Sequence, residues 1–219
     1  MKSLSANALK IIAAVSMVID HIGFMIFPEI NIFRILGRIA FPVFAYFLAK
    51  GCYYTKNKLK HFLTLFIVAF VCQAVYYLAM KSLEMSILTT FCISEALIYL
   101  LFYLKKSLIE NKTFLSCIFM LALFLGIVLT FYVCEKIVVD YGFWGCMAPL
   151  IVSLFSFGNL PVNEKLKKLD RMATELMLLA VAVCLLPLSN GLGYINAFSL
   201  VGVALLSLYN GERGKYNMK

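Results

Sequence analysis

The sequence predicts an all-α fold, a polytopic membrane helix bundle of about eight transmembrane helices with both termini in the cytoplasm. Three observations carry that prediction. Of 219 residues, 63% are hydrophobic and only 14% are charged, too few charges to cover a soluble domain of this length. Mean hydropathy is +0.93, in the range of chains that live in lipid. Basic residues, finally, alternate from loop to loop along the chain.

Apolar runs fall at about 8–27, 35–49, 62–80, 86–104, 114–134, 141–158, 172–188 and 192–209. Each is near the length a helix needs to cross a bilayer, with the second and seventh short. Backbone groups cannot stay unpaired in hydrocarbon, and these runs are too long for barrel strands, so helices are expected. All but four of the 20 basic residues belong to the termini and to the loops around 50–60, 105–112 and 165–171. The four exceptions are Arg34, Arg38, Lys81 and Lys136, on the alternate connections. Eight spans place the larger set on one side, and the positive-inside rule makes that side cytoplasmic. The net charge of +9 has the same explanation, and nucleic acid is not expected as a partner. A single domain over 1–219 is expected, because no connection exceeds about a dozen residues and no linker or repeat stands out.

The first run, "LKIIAAVSMVIDHIGFMIF", carries Lys10 at one end and an Asp20-His21 pair within it. Charge at a bilayer centre costs roughly 2.5–3.5 kcal/mol per residue, so such residues are candidates for function. Lys10 and His21 fall on one helical face about 16 Å apart along the axis. Asp20 points about 100° away. Histidine is the usual general base, tunable near neutrality; a packed interfacial residue is the plain alternative. The next run opens "RILGRIAFPVF", with Arg34 and Arg38 four apart on one face. They need carboxylate, phosphate or solvent, and an Asp20–Arg38 ion pair would satisfy one of them. Pro42 is expected to kink or break this helix. Gln73 and Glu95 fall near mid-span, and Asp140 with Tyr141 opens "DYGFWG" at an outer end. Glu95 is the costliest of these and is expected to face the bundle interior.

Hydrolase, ATPase and zincin readings have no motif support. There is no GxSxG, P-loop, dinucleotide-binding glycine pattern or HExxH. The seven cysteines show no CxxC or Cys/His ligand spacing, so buried thiols are expected and no metal.

Four segments in order, "LKIIAAVSMVIDHIG", "RILGRIAFPVFAYFLAKGCYYTKN", "DYGFWG" and "LYNGERG", resemble the TraX family over nearly the whole chain. That family takes its name from the conjugative F-pilin acetylase. It is similar in turn to a distant branch of the membrane acyltransferase-three superfamily. Members of that superfamily carry a basic residue and a histidine in the first span, separated by ten residues; Lys10 and His21 match. The superfamily's "FF…SGF" segment resembles "FPVFAYFLAKGCYY", with Lys50 at the serine-like position. TraX sequences often have Glu at the place of Gln73 and Gly at the place of Glu95.

The resemblance implies acyl transfer from cytoplasmic acyl-CoA, acetyl-CoA in the simplest case, to an amine or hydroxyl acceptor near the outer face. The acceptor would be a pilin N-terminus or another envelope molecule. His21 would be the base beside Asp20, and Arg34 or Arg38 would meet an oxyanion or an anionic acceptor. Lys10, Lys50, Lys56 and Lys58 would hold the CoA phosphates. Glu95, Asp140 and Tyr141 would line the acceptor side. A bacterial cytoplasmic membrane is the expected location. A small proton- or cation-coupled transporter or flippase, or a non-catalytic envelope assembly factor, are the alternatives.

Overall fold

The computed structural model describes residues 4–81, 84–158, 160–162 and 198–214. Among them are eight helices: α1 (Ala6–Met25), α2 (Asn31–Gly37), α3 (Ala40–Tyr54), α4 (Lys58–Met80), α5 (Ile87–Ile109), α6 (Thr113–Lys136), α7 (Gly142–Ser153) and α8 (Ser199–Ser207). The described residues form no strand, only two isolated bridges, Leu4 with Tyr209 and Met85 with Val139. Five segments are long and apolar enough to cross a membrane: 6–25, 31–54, 58–78, 87–109 and 113–136. They coincide with the first five predicted runs.

The later runs differ. The sixth becomes α7, whose 12 residues reach about 18 Å, short of a hydrocarbon core about 30 Å thick. The run at 172–188 lies outside the described residues, and the last is described only from Phe198, as α8. The described helices therefore do not supply eight full crossings. The second run is longer than expected and is interrupted, but not at Pro42. The break falls at Arg38 and Ile39, between α2 and α3. Pro42 is the third residue of α3, where a missing N–H costs nothing because the first-turn donors have no intrahelical partner.

By contact the chain forms two compact units, residues 1–47 with 175–219, and residues 48–174. In the first, Ser5 caps α1 by accepting from Ala8 N at 3.3 Å. α1 and α2 approach so closely that a methyl on Gly37 would overlap the Asp20 side chain, and one on Gly23 would overlap Phe33. Ser16 Oγ donates to the Leu36 carbonyl across the same contact. Gly202 brings α8 against the α2–α3 junction, where a Cβ would sit 2.6 Å from Ile39 O. The "LYNGERG" stretch pairs with the chain start: Asn210 N donates to Leu4 O at 3.0 Å and Ala6 N to Glu212 O at 2.9 Å. Tyr209 of that stretch also packs edge-on against Tyr46 and Phe47.

In the second unit, α5 packs against α4, α6 and α7. Its buried face runs through Phe91, Ser94, Glu95, Ile98 and Leu101, spaced three and four apart as a helix facing a core requires. Ser94 Oγ bonds the Cys146 carbonyl of α7 at 2.8 Å. The turn before α7 is tied back to α5 by Thr90 Oγ1, which donates to Asp140 O at 2.8 Å. Tyr141 and Gly142 are both left-handed there, at φ 61° and 57°. Glycine accepts that conformation freely, whereas tyrosine is disfavoured in it. α6 turns most of its apolar surface outward, including Phe114, Phe124 and Tyr132, as expected of a helix in contact with lipid acyl chains.

Candidate functional site

A cluster of polar side chains from three helices meets around a wholly buried carboxyl in the second unit. Cys52 stands near the end of α3, His61 one turn into α4, and Glu95 on the inner face of α5. Asn57 fixes the start of α4, its side chain accepting from Lys60 N at 2.9 Å, and His61 N donates to Asn57 O at 3.1 Å. The cap sets the register that turns His61 toward α5. Glu95 and Tyr99 are four apart on α5, so they share a face. Both reach the same ring nitrogen: His61 Nδ1 donates to Glu95 Oε1, and Tyr99 Oη lies 3.1 Å from it. The other nitrogen, Nε2, faces the backbone of Gly51; a methyl there would stand 3.6 Å from it.

Burial sharpens the chemistry. Glu95 is 0% exposed and Cys52 1%, while the His61 side chain is 35% exposed. One oxygen of Glu95 meets the imidazole. The other, Oε2, has no hydrogen-bond partner among the described residues. A buried carboxylate with a bare oxygen is costly, and a charged imidazole or another cation offsets that cost. One atom each of Cys52 (Sγ), His61 (a ring nitrogen) and Glu95 (a carboxylate oxygen) lie within 4.8 Å of one another.

Two lysines frame this cluster, and both are engaged. Lys58 Nζ turns back to the carbonyls of Cys52 at 3.2 Å and Thr55 at 3.5 Å, and stands 3.9 Å over the Phe102 ring. Lys105 Nζ donates to Tyr53 Oη at 3.0 Å and to the carbonyls of Ser153 and Ser156, both at 2.9 Å. An ammonium has three donors, so Lys105 is saturated as a clamp on the end of α7.

The residues singled out in the sequence lie as follows. His21 is exposed, its Nδ1 donating to Met17 O of its own helix at 2.8 Å. Asp20 points the other way, toward α2, its Oδ1 3.7 Å from Arg34 Nε. The structure does not bring Asp20 and His21 together, as neighbours on a helix do not face each other. Arg34 also lies over the Phe24 ring at 5.2 Å, and Arg38 is half-buried at the α2–α3 junction. Lys10 is exposed, its Nζ 5.0 Å from the Phe47 ring. Lys50 is half-buried and Lys56 exposed on the second unit. Asp140 and Tyr141 form the turn before α7. Gln73 spans the end of α4, accepting from Ser86 N at 3.0 Å and donating to Glu84 O at 2.9 Å. Of the candidates, Glu95 belongs to the cluster and Lys58 borders it. His61, Cys52 and Tyr99 were not among them.

A family model described as TraX protein matches residues 5–219. The chain belongs to the TraX family. This is the family that the four ordered motifs resemble, and it suggests a pilin-related envelope protein. The TraX chain is also similar to an uncharacterized protein of Rickettsia prowazekii (strain Madrid E), 32% identical over 133 residues. That alignment covers 52% of this chain and 53% of the Rickettsia protein, so the chain spans about half the length of the curated relative it matches. No solved structure matches it.

Proposed function

We propose that the chain is a membrane-embedded acyltransferase of the cytoplasmic membrane. It moves an acyl group, acetyl in the simplest case, from cytoplasmic acyl-CoA to an amine or hydroxyl of a pilin or other envelope acceptor. One observation carries the reading: an imidazole hydrogen-bonded to a wholly buried carboxylate inside apolar helices. TraX membership supports it.

The acceptor must lose a proton as its nitrogen or oxygen attacks the thioester carbonyl. His61 takes that proton, and Glu95 holds the ring and stabilises the imidazolium. The carbon–sulfur bond breaks and CoA leaves as the thiolate, which collects a proton. Tyr99, 3.1 Å from the same Nδ1, helps Glu95 hold the ring and leaves Nε2 as the nitrogen that takes the proton. Lys56 and Lys60, exposed at the start of α4, are available to the CoA phosphates. Lys58 meets them only by leaving its carbonyl partners. With the orientation expected from the basic loops, this turn is cytoplasmic, on the donor's side.

A buried carboxylate in a span also suits proton relay, so a small proton-coupled transporter is the second reading. Binding of acetyl-CoA, CoA and dephospho-CoA to detergent-purified protein, followed by thermal shift, separates the two. Transfer of labelled acetyl from acetyl-CoA into the envelope fraction completes the test. The acyltransferase reading expects stabilisation by CoA, less without the 3′-phosphate, and transfer that fails in His61→Ala. Neither binding nor transfer in the wild type overturns it in favour of transport.

A further inference from the structure

We propose that Cys52, His61 and Glu95 form a site for one divalent transition-metal ion of the zinc class. The site uses residues of the proposed reaction centre, but the inference does not depend on acyl transfer.

The donor set comes first. A thiolate, an imidazole and a carboxylate are the three ligand types that zinc takes, and three protein ligands with one open position are a common arrangement. Calcium and magnesium take oxygen ligands, and two of these three donors are sulfur and nitrogen. Sulfur and nitrogen together select the later transition metals. Distance comes second. The three ligand atoms lie within 4.8 Å of one another. Bonds of about 2.0–2.3 Å around a tetrahedral ion hold ligand atoms roughly 3.3–3.6 Å apart, so the three groups already stand close to the spacing that an ion needs.

The third observation points to a cation independently of the cluster's composition. Glu95 is wholly buried and its Oε2 has no hydrogen-bond partner among the described residues. That oxygen is where an ion would bind. Charge balance agrees. One thiolate, one carboxylate and a neutral imidazole around a divalent ion sum to zero, the least costly state for a centre in a spanning segment. The two lysines that frame the cluster are held elsewhere, Lys58 on the Cys52 and Thr55 carbonyls and Lys105 on Tyr53 Oη and the Ser153 and Ser156 carbonyls. The partly exposed His61 leaves a way in for the ion.

Binding displaces the proton from the Cys52 thiol and the one shared between His61 and Glu95. The ion therefore occupies the groups that acyl transfer uses, and the loaded protein is an inactive form.

The test uses the full chain in detergent, exposed to zinc or cobalt and then freed of excess by gel filtration. Wild type is expected to retain about one ion per chain. Its cobalt form is expected to show a thiolate-to-cobalt charge-transfer band. Cys52→Ser should lose that band and Glu95→Gln should lose the ion, while Cys92→Ser keeps both. Circular dichroism checks folding, and Glu95→Gln preserves shape if Cys52→Ser does not fold. Less than about 0.1 ion per wild-type chain overturns the site, as does an ion retained by both variants. A protein that holds no ion yet transfers acetyl loses this site and keeps the reaction. One that holds the ion and never transfers acetyl, even after chelation, keeps the site and loses the reaction.

Discussion

The chain has two histidines, one in each compact unit, and their surroundings differ. His21 follows an aspartate in sequence, yet among the described residues its ring bonds to its own helix backbone, and the aspartate faces Arg34 on α2. His61 has no acidic neighbour in sequence, yet it bonds to a carboxylate 34 residues away that is wholly buried. On a helix, adjacency in sequence separates side chains by about 100°. Residues from different helices at matching depth meet instead. The first unit uses its polar residues to join α1 to α2. The second gathers them into a centre.

The sharpest way to break that contrast is to remove each imidazole in turn. His61→Ala is expected to lower the proposed transfer by about 10²–10⁴-fold, the range for loss of a general base. His21→Ala is expected to stay within about twofold, as for an exposed substitution. Transfer of labelled acetyl to the envelope fraction reads both. The opposite order would return the chemistry to the first span and leave the His61–Glu95 pair a structural contact.

This contrast also shows what was legible in the sequence. Helical character and the first five spans followed from apolar run length, because a bilayer requires both. Glu95 stood out because a charge in such a run has to be compensated. Its partner did not. His61 sits in a basic stretch next to a predicted loop, "TKNKLKHF", and reads there as a boundary residue. The signal that could have found it was depth: four residues after Asn57, it is already one turn inside α4. The Cys52–His61 spacing crosses a turn and matches no ligand motif, so only tertiary contact shows the cluster. The sequence predicts a span at α7 because the apolar run continues past the helix to residue 158, where the chain is no longer helical.

Two lysines sharpen the comparison on stability. Lys105 gives all three donors, two of them to carbonyls at the end of α7. Lys105→Met keeps the stem and strands those carbonyls, at about 1–3 kcal/mol each. Lys10 lays its ammonium over the Phe47 face, a contact worth about 0.5–1 kcal/mol when exposed. Thermal unfolding in detergent should therefore fall clearly for Lys105→Met and little for Lys10→Met. Equal losses would show that Lys105 does not secure α7.

Two glycines divide the units again, with a smaller effect. At Gly37 a methyl would overlap Asp20, whereas at Gly51 it would make an ordinary contact with His61 at 3.6 Å. Gly37→Ala is expected to cost about 1–3 kcal/mol by forcing α1 and α2 apart. Gly51→Ala should leave stability near wild type. It would test access to His61 instead, since the added methyl stands against Nε2. Unchanged stability in Gly37→Ala would mean that the α1–α2 contact yields without loss.

The smallest effect belongs to the exposed counterpart of Glu95 on the same helix. Glu110, just past the end of α5, accepts from Lys112 Nζ at 2.7 Å, with Lys106 Nζ at 3.7 Å. The Lys112 hydrogen bond holds its carboxyl below the ordinary carboxylate range, with the charges of both lysines adding to the effect. A depressed folded pKa fixes the sign. The contribution is complete above the ordinary carboxylate range and is lost as pH falls through the folded value. Water and salt screen the pair, so the effect is small. Wild type and Glu110→Gln should thus differ slightly in unfolding temperature at neutral pH and converge in acid, more so at high salt. A difference that grew on acidification would reverse the assignment. Water competes for the carboxylate at the exposed end of α5, whereas Glu95, two-thirds of a helix away, is wholly buried and meets the His61 ring without that competition.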